Sequence, residues 1–89
     1  MKIERICEER GTRICLSGEL RCSHLAGFRT EIERVVLPAI VDLGEIDVVD
    51  IEGVRLLNQC KARGIEIANC SPYIREWMLQ EKRVSDRAQ

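Results

Sequence analysis

The chain has 89 residues, 45% hydrophobic and 33% charged, with 14 Lys and Arg against 15 Asp and Glu. Such a length excludes a two-domain enzyme, and the balance closes one small core under a solvated surface. A domain of this size buries only about 60–65% of the surface its unfolded chain exposes, leaving little interior for a large-substrate cavity. Charges of both signs are interspersed without a basic block, and one Trp, one Tyr and one Phe are too few for base-stacking platforms, so nucleic acid is not an expected partner. The opening MKIERICEER lacks the apolar core of a signal peptide, and no apolar run reaches the ~20 residues of a bilayer span. A cytoplasmic protein without direct membrane insertion is expected. Cys7, Cys15, Cys22, Cys60 and Cys70 form an odd set with no CxxC pair, which indicates neither a disulfide framework nor a zinc knuckle and reads as reduced thiols.

In chain order, Ile3 to Cys7 and Thr12 to Ser17 flank the polar Glu8-Glu9-Arg10-Gly11 and predict a hairpin. In the second strand Thr12, Ile14 and Leu16 share one face, and Arg13, Cys15 and Ser17 the other. From Ser23, a candidate N-cap, Leu25, Phe28, Ile32 and Val35 recur at helical spacing, with Arg29 and Glu33 outside at i, i+4. Pro38 should end that helix and start an extended segment over Ala39 to Leu43, whose dense apolar run suits a central strand covered on both sides. Leu56, Leu57 and Cys60 give the face of a helix over roughly Glu52 to Arg63, and Gly64 stops it. Ile65 to Ala68 reads as a short strand. Ser71-Pro72 then caps and opens a third helix, with Tyr73, Ile74, Trp77 and Met78 on its inner face. Residues 1–80 are expected to form one domain, and 81–89 a polar, frayed tail. The predicted order ββαβαβα is an α/β fold: a small, mixed four-stranded sheet packed with about three helices, its strand–helix–strand crossover right-handed.

The most informative stretch is AIVDLGEIDVVDIEGVRLL, from Ala39 to Leu57. A strand ends in Asp42-Leu43, a short connection follows, and Val48-Val49 leads into Asp50-Ile51-Glu52-Gly53 at a helix start. This resembles the STAS family, the sulfate-transporter and anti-sigma-factor-antagonist domains, in which an apolar strand with Asp-Leu precedes an Asp-Ser-Ser-Gly or Asp-Ser-Ala-Gly turn into a Leu-rich helix. The likeness extends upstream through Leu16-Ser17-Gly18-Glu19-Leu20 and downstream from Arg63 to Pro72, covering about Thr12 to Leu79. By resemblance, Asp50 matches the motif aspartate and Gly53 its glycine, while Ile51 occupies the position of the phosphorylatable Ser or Thr. Isoleucine has no hydroxyl, so phosphorylation there is chemically excluded; residues Asp42 to Leu57 contain no Ser or Thr at all. Glu52 stands where the family often has a second small residue and supplies fixed charge in the first helical turn, in part as a phosphate would.

Asp50 and Glu52 could form a general acid/base pair, but no His, Lys or nucleophile lies near in sequence, and a helix-capping pair is the simpler account. No catalytic residue, metal ligand set or cofactor is expected. His24, the only histidine, reads as a surface residue. Cys15 and Cys60 read as small apolar packing residues, with Cys22 and Cys70 the better thiol candidates. Val54 belongs to a docking patch if it turns outward. The resemblance implies a non-enzymatic protein-interaction module docking through Asp50, Ile51, Glu52, Gly53, Val54 and Arg55. Gly53 would permit close approach of the partner's backbone, and Arg55 would pair with an acidic partner surface. The implied partner is an anti-sigma factor with a kinase-type ATP-binding fold. Two alternatives stand beside it: a small STAS-like accessory subunit of a transport or lipid-trafficking complex, and a thiol-dependent or small-ligand-binding protein.

Overall fold

The computed structural model describes residues 1–87. Its elements are β1 (Lys2–Glu8), β2 (Gly11–Leu20), a 3-10 turn (Cys22–His24), α1 (Leu25–Arg34), β3 (Ala39–Val49), α2 (Ile51–Ala62), β4 (Glu66–Ala68) and α3 (Pro72–Arg87). The strands form one sheet in the order β1-β2-β3-β4, with β1 antiparallel to β2 and the other two pairings parallel. The mixed α/β sheet expected from the sequence is therefore present, with three α-helices.

Alternation along the strands decides where the core lies. Ile14 and Leu16 of β2 and Ala39, Val41 and Leu43 of β3 join Leu25, Phe28 and Ile32 of α1, Val54, Leu57 and Cys60 of α2, and Ile74 and Met78 of α3 in one buried cluster. The intervening residues Arg13, Cys15, Ser17, Ile40 and Asp42 stay half-buried. Strand β3 is thus covered on one face only, not on both as its apolar run suggested. Cys15 lies on that open side, away from Ile14 and Leu16, so only Cys60 of the two expected core thiols is fully buried.

Strand β3 is also longer than expected. The supposed connection through Gly44 and Glu45 continues it to Val49, because two irregularities absorb extra residues. Cys15 pairs with Asp42 but Ser17 with Glu45, so Leu43 and Gly44 together oppose Leu16; Gly18 pairs with Ile46 but Glu19 with Val48, leaving Asp47 extra. At the first, Asp42 Oδ1 accepts the Gly44 N–H at 2.8 Å, the local side-chain turn that sets such a bulge. Polar residues in β3 conceal a strand that its ladder sustains.

The helix ends follow their local chemistry. Helix α2 closes in a Schellman motif: Ile65 N–H donates to Cys60 O at 2.9 Å and Gly64 N–H to Lys61 O at 3.0 Å, with Gly64 at φ +90°. Ser71 Oγ accepts the Ile74 N–H at 3.3 Å, as expected of the α3 cap. Ser23 does not cap α1; it lies within the 3-10 turn, and neither helical start there has a side-chain cap. On α3, Ile74 and Met78 face the core while Tyr73 is 63% exposed, its ring centroid 5.9 Å from that of half-buried Trp77. Residues 81–87, read as tail, continue α3. Their Glu, Lys and Arg are good helix formers, and Glu81 accepts Arg55 Nε from α2 at 3.0 Å. The rest of the expected tail, 88–89, lies outside the described residues.

Candidate functional site

The site is a joint between the end of β2 and the start of α2. Asp50 N–H donates to Leu20 O at 3.1 Å, holding the first residue after β3 beside the last of β2. Asp50 is the N-cap of α2, in extended backbone, and its Oδ1 accepts the Gly53 N–H at 2.9 Å. This is the capping expected from the sequence, worth about 1 kcal/mol. Oδ2 accepts the Cys22 N–H at 2.7 Å. One carboxylate therefore serves both the α2 terminus and the turn entering α1. The Cys22 amide, then that of Gly53, holds the Asp50 carboxyl below its ordinary value.

Gly53 is needed inside the molecule. A Cβ there would lie 2.6 Å from Leu20 O and 2.9 Å from Val49 Cγ2, so the first turn of α2 rests against backbone that no side chain could displace. The close approach it permits is to its own chain, not to a partner. Val54 is 0% exposed and belongs to the core cluster. It shares one helix face with Leu57 and Cys60 at successive i+3 steps, and the outward orientation that would have made it a docking residue is excluded.

The exposed members of the motif are Ile51, at 39%, Glu52 and Arg55. Arg55 is already engaged. Its Nε donates to Glu81 and its Nη1 to Glu52, both at 3.0 Å, and Glu81 above all raises its pKa. The guanidinium anticipated for an acidic partner ties α2 to α3 through two of its donors, with Glu52 its second acceptor. Beside this exposed ion pair, apolar surface is also turned outward: Ile51, and Val48 on the other side of Asp50, each 39% exposed.

A second aspartate orders the same strand. Besides Gly44 N–H, Asp42 accepts Arg13 Nη1 at 2.9 Å and Asn69 Nδ2 at 3.1 Å. The Gly44 amide, followed by Asn69 and Arg13, lowers its pKa against the opposing effect of burial. Neither the bonds of this network nor the parts that Leu20, Cys22 and Glu81 play in holding the joint are anticipated from sequence. Asp50 finds its partners among backbone groups, which side-chain identity does not encode, and Glu81 lay in a segment without apolar periodicity.

Among the described residues, no group of His, Cys, Asp and Glu could hold a metal ion, and every buried side-chain N or O atom has a hydrogen-bond partner. Nδ1 of exposed His24 lies 3.2 Å from Glu19 O, a local contact. Burial pushes the Cys60 thiol up to about 12 and raises those of Cys15 and Cys70, the opposite of activation. No described helix is long and apolar enough to cross a membrane.

No family model matches the sequence, and no curated protein matches it. Among solved structures the chain is similar to the anti-sigma factor antagonist SpoIIAA in its unphosphorylated form, with a TM-score of 0.68 and 21% identity over 98% of this chain and 97% of that one. Together with the mixed sheet and the Asp50 turn, this shows that the chain adopts the STAS fold, the fold of an anti-sigma factor antagonist.

Proposed function

We propose that the chain is a non-enzymatic protein-interaction module of the antagonist type, acting in the cytoplasm and docking through the exposed part of the Asp50–Arg55 turn. The observation that carries this reading is Ile51, an apolar side chain left 39% exposed at the first position of α2, on a turn whose Asp50 carboxylate is satisfied within the chain. Such a side chain adds nothing to the core and suits a contact that excludes water. With no hydroxyl from Asp42 to Leu57, docking at this turn is constitutive, not gated by phosphorylation. The fixed carboxylates of Asp50 and Glu52 leave no room there for a further anion. The partner is an anti-sigma factor of kinase-type ATP-binding fold, held by an apolar contact centred on Ile51. Burial raises the thiols of Cys15, Cys60 and Cys70, which counts against those three as reactive groups, and the transporter-subunit reading has no observation of its own.

The test is binding of the purified chain to the kinase-type anti-sigma factors of its source organism, measured by calorimetry. Ile51→Arg should weaken binding at least tenfold while leaving the melting temperature within about 3 °C. Gly53→Arg and Asp50→Arg are poor tests, since both break the joint under the turn. Unchanged affinity for Ile51→Arg, or absence of binding to any such protein, refutes the reading.

A further inference from the structure

Among the described residues strand β1 pairs only with β2, so its outer edge presents the free backbone donors and acceptors of alternate residues between Lys2 and Glu8. An edge this open is a template for another strand unless its charges oppose pairing. Here the charges select a pairing. We propose that two copies of this chain associate through β1, antiparallel about a two-fold axis at Arg5, so that the two sheets become one.

Faces and signs fix the register. The β1–β2 ladder puts Lys2, Glu4, Ile6 and Glu8 on the open face of the sheet, beside Ser17, Cys15 and Arg13, and puts Ile3, Arg5 and Cys7 on the helical side beside Leu16 and Ile14. A continuous two-fold sheet must match open face with open face, so only shifts by two residues are allowed. With the axis at Arg5, Lys2 meets Glu8 of the second copy at both ends, Glu4 meets Ile6, and Ile3 meets Cys7. With the axis at Glu4, two glutamates face each other. With the axis at Ile6, Glu4 meets Glu8 twice. Directly opposed like charges are unfavourable and opposite charges favourable, so the Arg5-centred register is preferred. Its central arginines do not meet as bare cations, since each is held by Glu31 of α1 in its own chain. Ile6, 43% exposed in the single chain, is then flanked by the second copy's strand. This surface is separate from the Asp50 turn, so the inference stands or falls apart from the function proposed above.

The experiment is sedimentation equilibrium of the full chain from micromolar to millimolar, with charge reversals and a disulfide trap. A reversible dimer is expected. Lys2→Glu and Glu8→Lys should each weaken association about tenfold, because two attractive pairs become repulsive, and the double reversal should restore it. Lys2→Glu also perturbs the contact with Glu4, and Glu8→Lys that with Arg13, so recovery in the double variant, which retains both perturbations, separates association from folding. In the trap, Glu4→Cys combined with Ile6→Cys should yield a covalent dimer, with peptide mapping locating the bond between position 4 of one copy and position 6 of the other. Glu4→Cys alone or Ile6→Cys alone should give no bond between the introduced cysteines. A monomer throughout the range, a dimer indifferent to the reversals, or a bond joining two introduced cysteines at the same position would each overturn the proposal.

Discussion

Asp42 within β3 and Asp50 just beyond it are both held ionised, but by different kinds of donor. Asp42 shares a backbone amide, an asparagine and an arginine, whereas Asp50 takes backbone amides from Cys22 and Gly53. Long side chains surrender rotamer freedom to make such contacts, and an arginine's attraction is screened by salt. Backbone amides are already positioned by the fold. The Asp42 network is therefore spread over donors that can substitute for one another, while the Asp50 joint depends chiefly on backbone amides, with the Arg21 charge a smaller contribution. A carboxylate bound in that way positions the turn, leaving contact with anything outside to its neighbour Ile51.

The hardest way to break the contrast is at the glycine beneath the joint. Gly53→Ala improves helix propensity by about 1 kcal/mol, yet its Cβ would meet Leu20 O at 2.6 Å. A net loss of about 2–3 kcal/mol is expected in denaturant titration; equal or higher stability would show that α2 does not rest on the end of β2. Next comes Asp50→Ala, expected to cost about 2 kcal/mol, with Asp50→Asn costing about half as much because an amide oxygen can still cap Gly53 N–H but offers nothing further to Cys22. Asp42→Ala should cost about 1 kcal/mol. Salt sharpens the pair: at 1 M salt the Asp42 penalty shrinks with its arginine, and the Asp50 penalty, in which Arg21 has only a smaller share, shrinks less. Equal salt sensitivity would erase the distinction.

Acid gives a related test. Both carboxyls have folded-state pKa values lowered from 3.8. Each thus contributes stability that is complete above its unfolded value and is lost as pH falls through the folded one. The protein should weaken progressively below about pH 4, and Asp50→Asn, less stable at neutral pH, should show a flatter decline than the wild type. Parallel acid profiles would mean that the amides of Cys22 and Gly53 do not favour the ionised form.

Where side chains determine local structure, the sequence made it legible. The Leu25, Phe28 and Ile32 stripe, the Asp50 and Ser71 caps and the Gly64 stop all appear in place. Expectations failed at Ser23, whose local cap does not form, and otherwise where the deciding partner is distant backbone or a ladder. Gly44 and Glu45 look like a connection, but pairing with β2 carries the strand through them. Val54 was ambiguous because its orientation depends on the angle at which α2 leaves β3, which contact between Gly53 and Leu20 O sets. Glu81 and its neighbours carry no apolar stripe, so nothing local distinguished a helix continued by propensity and Arg55 from a solvated tail.

The smallest expected effect probes the turn's exposed neighbour. Ile51→Ser restores the hydroxyl that the resemblance leads one to look for, at a position whose side chain lies partly in solvent, so stability should change by no more than about 0.5 kcal/mol. Its chemical consequence is less neutral. A phosphate added there would need the helix-start amides, but Gly53 N–H is committed to Asp50, and Glu52 adds a second carboxylate alongside. A STAS-directed kinase should therefore phosphorylate Ile51→Ser far more slowly than a domain of the same fold with small residues after its aspartate, and adding Glu52→Ser should raise the rate, as followed by phosphate incorporation. Equal rates for the two variants would show that the Glu52 carboxylate, already shared with Arg55 at 3.0 Å, is electrostatically spent, and that Ile51 alone separates this turn from a switchable one.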